Sequence, residues 1–209
     1  RQNTYSKVMC WVALDRLCRL NDAGHVKLPV DRYRRQQAEI RAAIETRGFD
    51  RTRSSYLAAL DGDTVDASLL LLSRFGFDDA ASDAMRGTYR RVVEELGAGP
   101  LLYRYCEPDG LPRGEGAFGI CSFWAVSYLA NAGDHERAAT LFEQLLTYAN
   151  DLGLFAEEID PATSALLGNF PQAFTHVGLI DAALQLARAR GTHPRPEAAT
   201  PETLTSKQL

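Results

Sequence analysis

Apolar residues recur at helical spacing along almost the whole chain, and this pattern predicts helices over 4–20, 31–48, 64–75, 82–97, 118–132, 134–150 and 171–190. No segment shows the strict alternation of a half-buried strand, although LLYRYC (101–106) is compatible with a locally extended stretch. Boundary residues agree with the periods. Asp31 and Asp134 stand where N-caps are expected, Pro171 opens the last helix, and Gly48, Gly97 and Gly133 close others.

The predicted helices alternate in character. TYSKVMCWVALDRLCRL, VDASLLLLSRF and FGICSFWAVSYLANAG are apolar around most of their circumference, whereas VDRYRRQQAEIRAAIETRG, SDAMRGTYRRVVEELG and DHERAATLFEQLLTYAN each carry one apolar stripe and a charged face. The first kind is expected to be buried and the second to cover it from outside. That order predicts an all-α fold of helix hairpins laid side by side in two layers, curving into a solenoid or closing into a toroid. The lack of a short repeat argues against a regular solenoid. Residues 1–192 form the expected domain. Residues 193–209, rich in Pro, Thr, Ala and charge without an apolar period, are expected to be a disordered tail.

Composition narrows the function. The chain has 209 residues, 45% hydrophobic and 24% charged, enough to bury a core. With a net charge of −4 and no basic block, it offers no surface for nucleic acid or an anionic membrane. The longest purely apolar run, Val8–Leu14, is far below a membrane span. Cys10, Cys18, Cys106 and Cys121 lack metal-ligand spacing, and Cys10, Cys18 and Cys121 fall in apolar helical patterns. Buried thiols in a reducing, cytoplasmic setting are therefore expected. The four histidines are scattered, and His176 reads as structural. No nucleotide-binding loop or serine elbow occurs, and no cofactor or metal is implied.

Candidate chemistry lies in three loops that precede apolar helices: 46–68, 101–118 and 154–172. Each combines aromatic residues with carboxylates and glycine, and two add arginine. Such a lining suits a sugar, whose apolar face stacks on rings and whose hydroxyls bond to charged groups. The most acidic stretch is LFAEEIDP (154–161), with Glu157, Glu158 and Asp160 beside an apolar pair.

Four blocks, TYSKVMCWVALDRLCRL, TVDASLLLLSRFGF, LLYRYC…GEGAFGICSFWAVSYLANAG and YANDLGLFAEEIDPATSALLGNFPQAFTHVGLIDAA, resemble glycoside hydrolase family fifteen, the glucoamylases and bacterial trehalases. The resemblance implies an (α/α)6 toroid, here an incomplete ring of about seven helices from the C-terminal part of the catalytic domain. It implies an inverting exo-acting α-glucoside hydrolase, glucoamylase-like on α-glucans or oligosaccharides, with α,α-trehalose hydrolysis as the alternative within the family. Inversion uses an acid and a base about 6.5–9.5 Å apart. By the same resemblance Glu157 is the general base and Arg104 binds the innermost glucose. Glu158, Asp66, Glu115, Phe118, Lys7 and Trp11 are further pocket candidates. The family's general acid sits in a Trp-Glu motif before the segment matched by TYSKVMCW. No glutamate precedes Thr4, so the acid is expected to be missing from this chain along with the N-terminal part of the domain. A non-catalytic helical scaffold that binds a glycan or a protein is the alternative from another class.

Overall fold

The computed structural model of the chain describes residues 1–106 and 116–191. Glu115 and the expected tail at 193–209 lie outside the described residues.

Among the described residues the helices are α1 (Thr4–Asp22), α2 (Val30–Arg47), α3 (Leu71–Arg74), α4 (Asp83–Leu96), α5 (Gly119–Asn131), α6 (His135–Leu146) and α7 (Ala173–Ala189). α3 continues a 3-10 turn at Ala67–Leu70. α1, the 3-10 turn with α3, α5 and α7 follow one another as an inner row. α2, α4 and α6 pack outside it, so the alternation read from the sequence is the alternation of layers.

Start and stop signals fixed most ends. Ser82 and Asp134 cap α4 and α6 by accepting the Met85 and Arg137 backbone N–H groups. Asp31 does not cap α2. That helix already begins at Val30, after Pro29, and Asp31 falls inside the first turn, where a carboxylate suits the helix dipole. The segment expected to be helical from 64 begins only at Ala67, because Asp66 stays extended and uses its side chain to cap the Ser68 N–H. α7 begins at Ala173 rather than at Pro171, with Gln172 as its cap.

Short strands that no alternation could announce tie the layers together. β1 (Phe49–Asp50) pairs with β2 (Ser55–Tyr56), and β3 (Gly97–Ala98) pairs with β4 (Leu101–Leu102), the start of the stretch read as extended. A third sheet joins three strands in the order β5 (Ala117–Phe118), β6 (Glu158–Ile159) and β7 (Leu166–Leu167), all antiparallel.

The core is densest around α5, where every residue from Cys121 to Ala130 except Trp124 is buried. α7 closes on α5 at two glycines. A Cβ on Gly119 would stand 2.6 Å from Thr175 Cγ2, and one on Gly178 would stand 3.1 Å from Ile120 Cγ1. Phe142, Phe123, Phe155 and His176 then form a chain of edge-to-face rings across α6, α5 and α7, with centroids 6.2, 5.5 and 5.8 Å apart.

The inner helices are not equally enclosed, which corrects one expectation. α1 buries only Thr4, Val8, Trp11, Val12 and Cys18 and exposes Cys10, Leu17 and Leu20. α7 exposes Phe174, Val177 and Ile180. These two helices stand at the ends of the inner row, and each has an inner-row neighbour on one side only. For that reason Cys10 is exposed, contrary to the expected buried thiol, whereas Cys18 and Cys121 are buried. No described helix is long and apolar enough to cross a membrane.

Candidate active site

β6 begins at Glu158, and Glu157 immediately precedes it. The two neighbouring glutamate side chains serve different partners. Glu158 Oε2 accepts the Gly116 N–H at 2.7 Å, tying its strand to the segment before β5. Glu157 lines a cavity of about 270 Å3 together with Arg104, Phe118, Trp124, Gln172 and Phe174.

The backbone around Glu157 is held from several sides. The Phe155 N–H donates to His176 Nε2 at 3.3 Å, and the Phe155 carbonyl accepts the Gln172 N–H at 2.9 Å. The Ala156 carbonyl accepts the Thr175 hydroxyl at 3.0 Å. The Glu157 N–H donates to the Asn169 carbonyl at 2.9 Å, and its carbonyl accepts the Gly119 N–H at 3.0 Å. The carboxylate is fixed too, since Glu157 Oε2 accepts both the Asn169 N–H at 3.1 Å and Asn169 Nδ2 at 2.7 Å. Gly168, at φ +71, passes so close that a Cβ there would stand 3.0 Å from Glu157 Cβ and Oε2. Asp160 serves the same loop. Its carboxylate accepts the Thr163 hydroxyl at 2.6 Å and the Ala162 N–H at 2.9 Å, the Thr163 bond doing most to hold its pKa below the usual value.

Arg104 forms the opposite wall. Its Nε donates to Asp66 Oδ1 at 2.8 Å, and its guanidinium lies 5.4 Å from the Trp124 ring centroid. A second cavity of about 370 Å3 opens on its other side, lined by Asn3, Tyr5, Asp66 and Tyr105. Burial raises the Tyr5 hydroxyl above its usual pKa, while Arg104 pulls it down and Asp66 pushes it up.

The structure thus brings Glu157, Arg104 and Phe118 to one cavity, with Asp66 behind the arginine. Lys7 is half-buried on α1 and lines neither cavity. Trp11 is a core residue, 7% exposed, packed edge-on against Phe77 at 5.3 Å with the Arg41 guanidinium 4.9 Å over its ring. Its position on the buried side of α1 keeps it from the pocket. Asp15 pairs with both Arg16 and Arg19, the local ion pairing expected there.

Sequence reading passed over Trp124, Asn169, Gln172 and Phe174. Trp124 stands inside an apolar helix, where an indole reads as core. Asn169 follows a loop glycine and carries no periodic signal. Phe174 was findable, because it opens a helix after an acidic loop just as Phe118 does.

The two-layered arc is shared with solved glycosidases. Two variant forms, one of them in complex with glucose, align with a TM-score of 0.74 at 18% identity, covering 93% of this chain and 53% of theirs. A wild-type glycosidase aligns at 0.64 with 20% identity over 80% of this chain and 47% of its own. The architecture is that of an (α/α)6 toroid, of which this chain builds an arc. Sequence names the group more narrowly: residues 1–184 match glycosyl hydrolases family 15, and the chain belongs to that family. It is 43% identical to a trehalase of Mycolicibacterium smegmatis and 42% identical to one of Mycobacterium tuberculosis, each over 89% of this chain. A trehalase of Thermoplasma acidophilum is 38% identical over 90% of it. The chain spans 28% of the length of the first two relatives and 33% of the third.

Proposed function

We propose that this chain is the base-bearing part of an inverting hydrolase that acts on α,α-trehalose, with Glu157 as the general base. The observation that carries this reading is the setting of the Glu157 carboxylate. One oxygen is held by two donors from Asn169, and the group faces a cavity walled by a guanidinium and aromatic rings. A base needs one oxygen kept in place and the other turned to the water. In the proposed step Oε1 takes a proton as water attacks the anomeric carbon. The bond to the leaving glucosyl oxygen breaks on the opposite face, and a separate acid protonates that oxygen. The family resemblance puts this acid N-terminal to Thr4, in a Trp-Glu pair. Arg104 and Trp124 would hold the glucose hydroxyls and ring face.

Trehalose is favoured over the α-glucans expected from sequence because relatives at 36–43% identity carry the name trehalase. Glucoamylase-like enzymes would share the glucose subsite and differ on the leaving-group side. The test uses a catalytic domain as long as that of the relatives, assayed on trehalose, maltose and isomaltose. Trehalose should be the preferred substrate. Early proton NMR spectra should show equal β- and α-glucose, one inverted and one released unchanged. Preference for maltose would move the assignment to α-glucans, α-glucose alone would contradict inversion, and no turnover of any of the three would favour the binding scaffold.

A further inference from the structure

We infer that His176 is a positioning residue for Glu157, acting through the backbone of Phe155 and only as the neutral Nδ1–H tautomer. Nδ1 lies 2.7 Å from the Gln172 carbonyl oxygen, which can only accept, so Nδ1 carries the proton. Nε2 lies 3.3 Å from the Phe155 nitrogen, whose N–H can only donate, so Nε2 is the acceptor. The two bonds together fix both ring nitrogens. The Phe155 ring stands edge-on to the imidazole at 5.8 Å and is itself 1% exposed, so the imidazole is clamped by packing as well.

The importance of this tie comes from its place in the chain. Phe155 opens the three-residue segment that ends at Glu157, and α7 holds that segment at its start through Gln172, Thr175 and His176. Releasing the Phe155 N–H loosens the start of the segment, which then depends on the Gln172 and Thr175 bonds alone, while Asn169 still holds the carboxylate. The carboxylate then stays bound but loses its fixed distance from Arg104 across the cavity. A displacement of this kind slows the chemical step more than it weakens binding, because the base acts at a defined reach from its water.

The inference rests on Glu157 being the base, but its first test does not. A long-range proton–nitrogen NMR spectrum of the unmodified chain should show His176 protonated at Nδ1 and bare at Nε2; a proton on Nε2 would overturn the proposal. His176→Phe keeps the ring packing and removes the acceptor, and should speed exchange of the Phe155 amide roughly tenfold. His176→Gln restores an acceptor and should bring exchange back to within about threefold. In the complete catalytic domain, His176→Phe should lower kcat by about tenfold with KM little changed, and His176→Gln should recover most of it. Unchanged exchange and kcat in His176→Phe, or equal losses in both variants, would reduce His176 to packing. If instead the tautomer and exchange behave as described while Glu157→Gln remains active, the tie stands and the base assignment falls.

Discussion

On one wall of the cavity Glu157 is held by neutral hydrogen bonds with Gly119 and Asn169, and the two residues before it by bonds from the start of α7, whereas on the other Arg104 is held by a carboxylate and an aromatic face. The glutamate wall is largely backbone on a rigid packing, with α5 and α7 in contact through Gly119 and Gly178. The arginine wall depends on side chains that keep some exposure, 34% for Arg104 and 21% for Asp66. The contrast fits the proposed roles. A base must keep one geometry, and neutral bonds hold it without placing a second charge beside it. A sugar-binding guanidinium must stay charged and able to adjust, and a carboxylate partner allows both.

Removing the base should break the glutamate wall's function outright. In a complete catalytic domain Glu157→Gln should cost about 10²–10⁴-fold in kcat at similar KM, measured by steady-state kinetics. Asp66→Asn keeps the cap on Ser68 but removes the charge behind Arg104. It should raise KM by roughly tenfold with a smaller change in kcat. An unchanged KM would mean that the guanidinium does not depend on its ion pair. Thr175→Val strips the buried hydroxyl from the Ala156 carbonyl and should lower stability by about 1–3 kcal/mol in denaturant unfolding. Glu158→Gln can still accept the Gly116 N–H and should be the mildest of the four, within about threefold of the parent in kcat. A larger loss there than in Glu157→Gln would exchange the roles of the two glutamates.

The layer order was legible because long amphipathic and all-apolar helices leave a strong periodic trace, as in α4 against α5. The third sheet was not, since two-residue strands such as β6 cannot show alternation, and it is this sheet that sets Glu158 against the Gly116 segment, next to Glu157. The chemistry itself was only suggested by residue type. Glu157 and Arg104 stood out through resemblance to a known family, and Asp66 behind Arg104 was among the weaker candidates. Trp11 misled because an aromatic residue near a helix start looks the same in sequence whether it faces a pocket or, as here, Phe77 and Arg41. The exposed face of α1 was invisible for a related reason: apolar periodicity reports which residues could be covered, not which neighbour covers them. Asn169, which fixes the carboxylate of Glu157, carries no pattern at all and emerges only from the fold.

Chemical rescue tests the role of Glu157 most directly. Glu157→Ala in a complete catalytic domain removes the base and leaves room for a small anion. Azide, which needs no deprotonation, should restore turnover of an activated α-glucoside and yield β-glucosyl azide, the anion having attacked from the face where Glu157 would direct water. Failure of azide to raise the rate, or formation of the α-azide, would contradict the assignment of Glu157 as the general base of an inverting reaction.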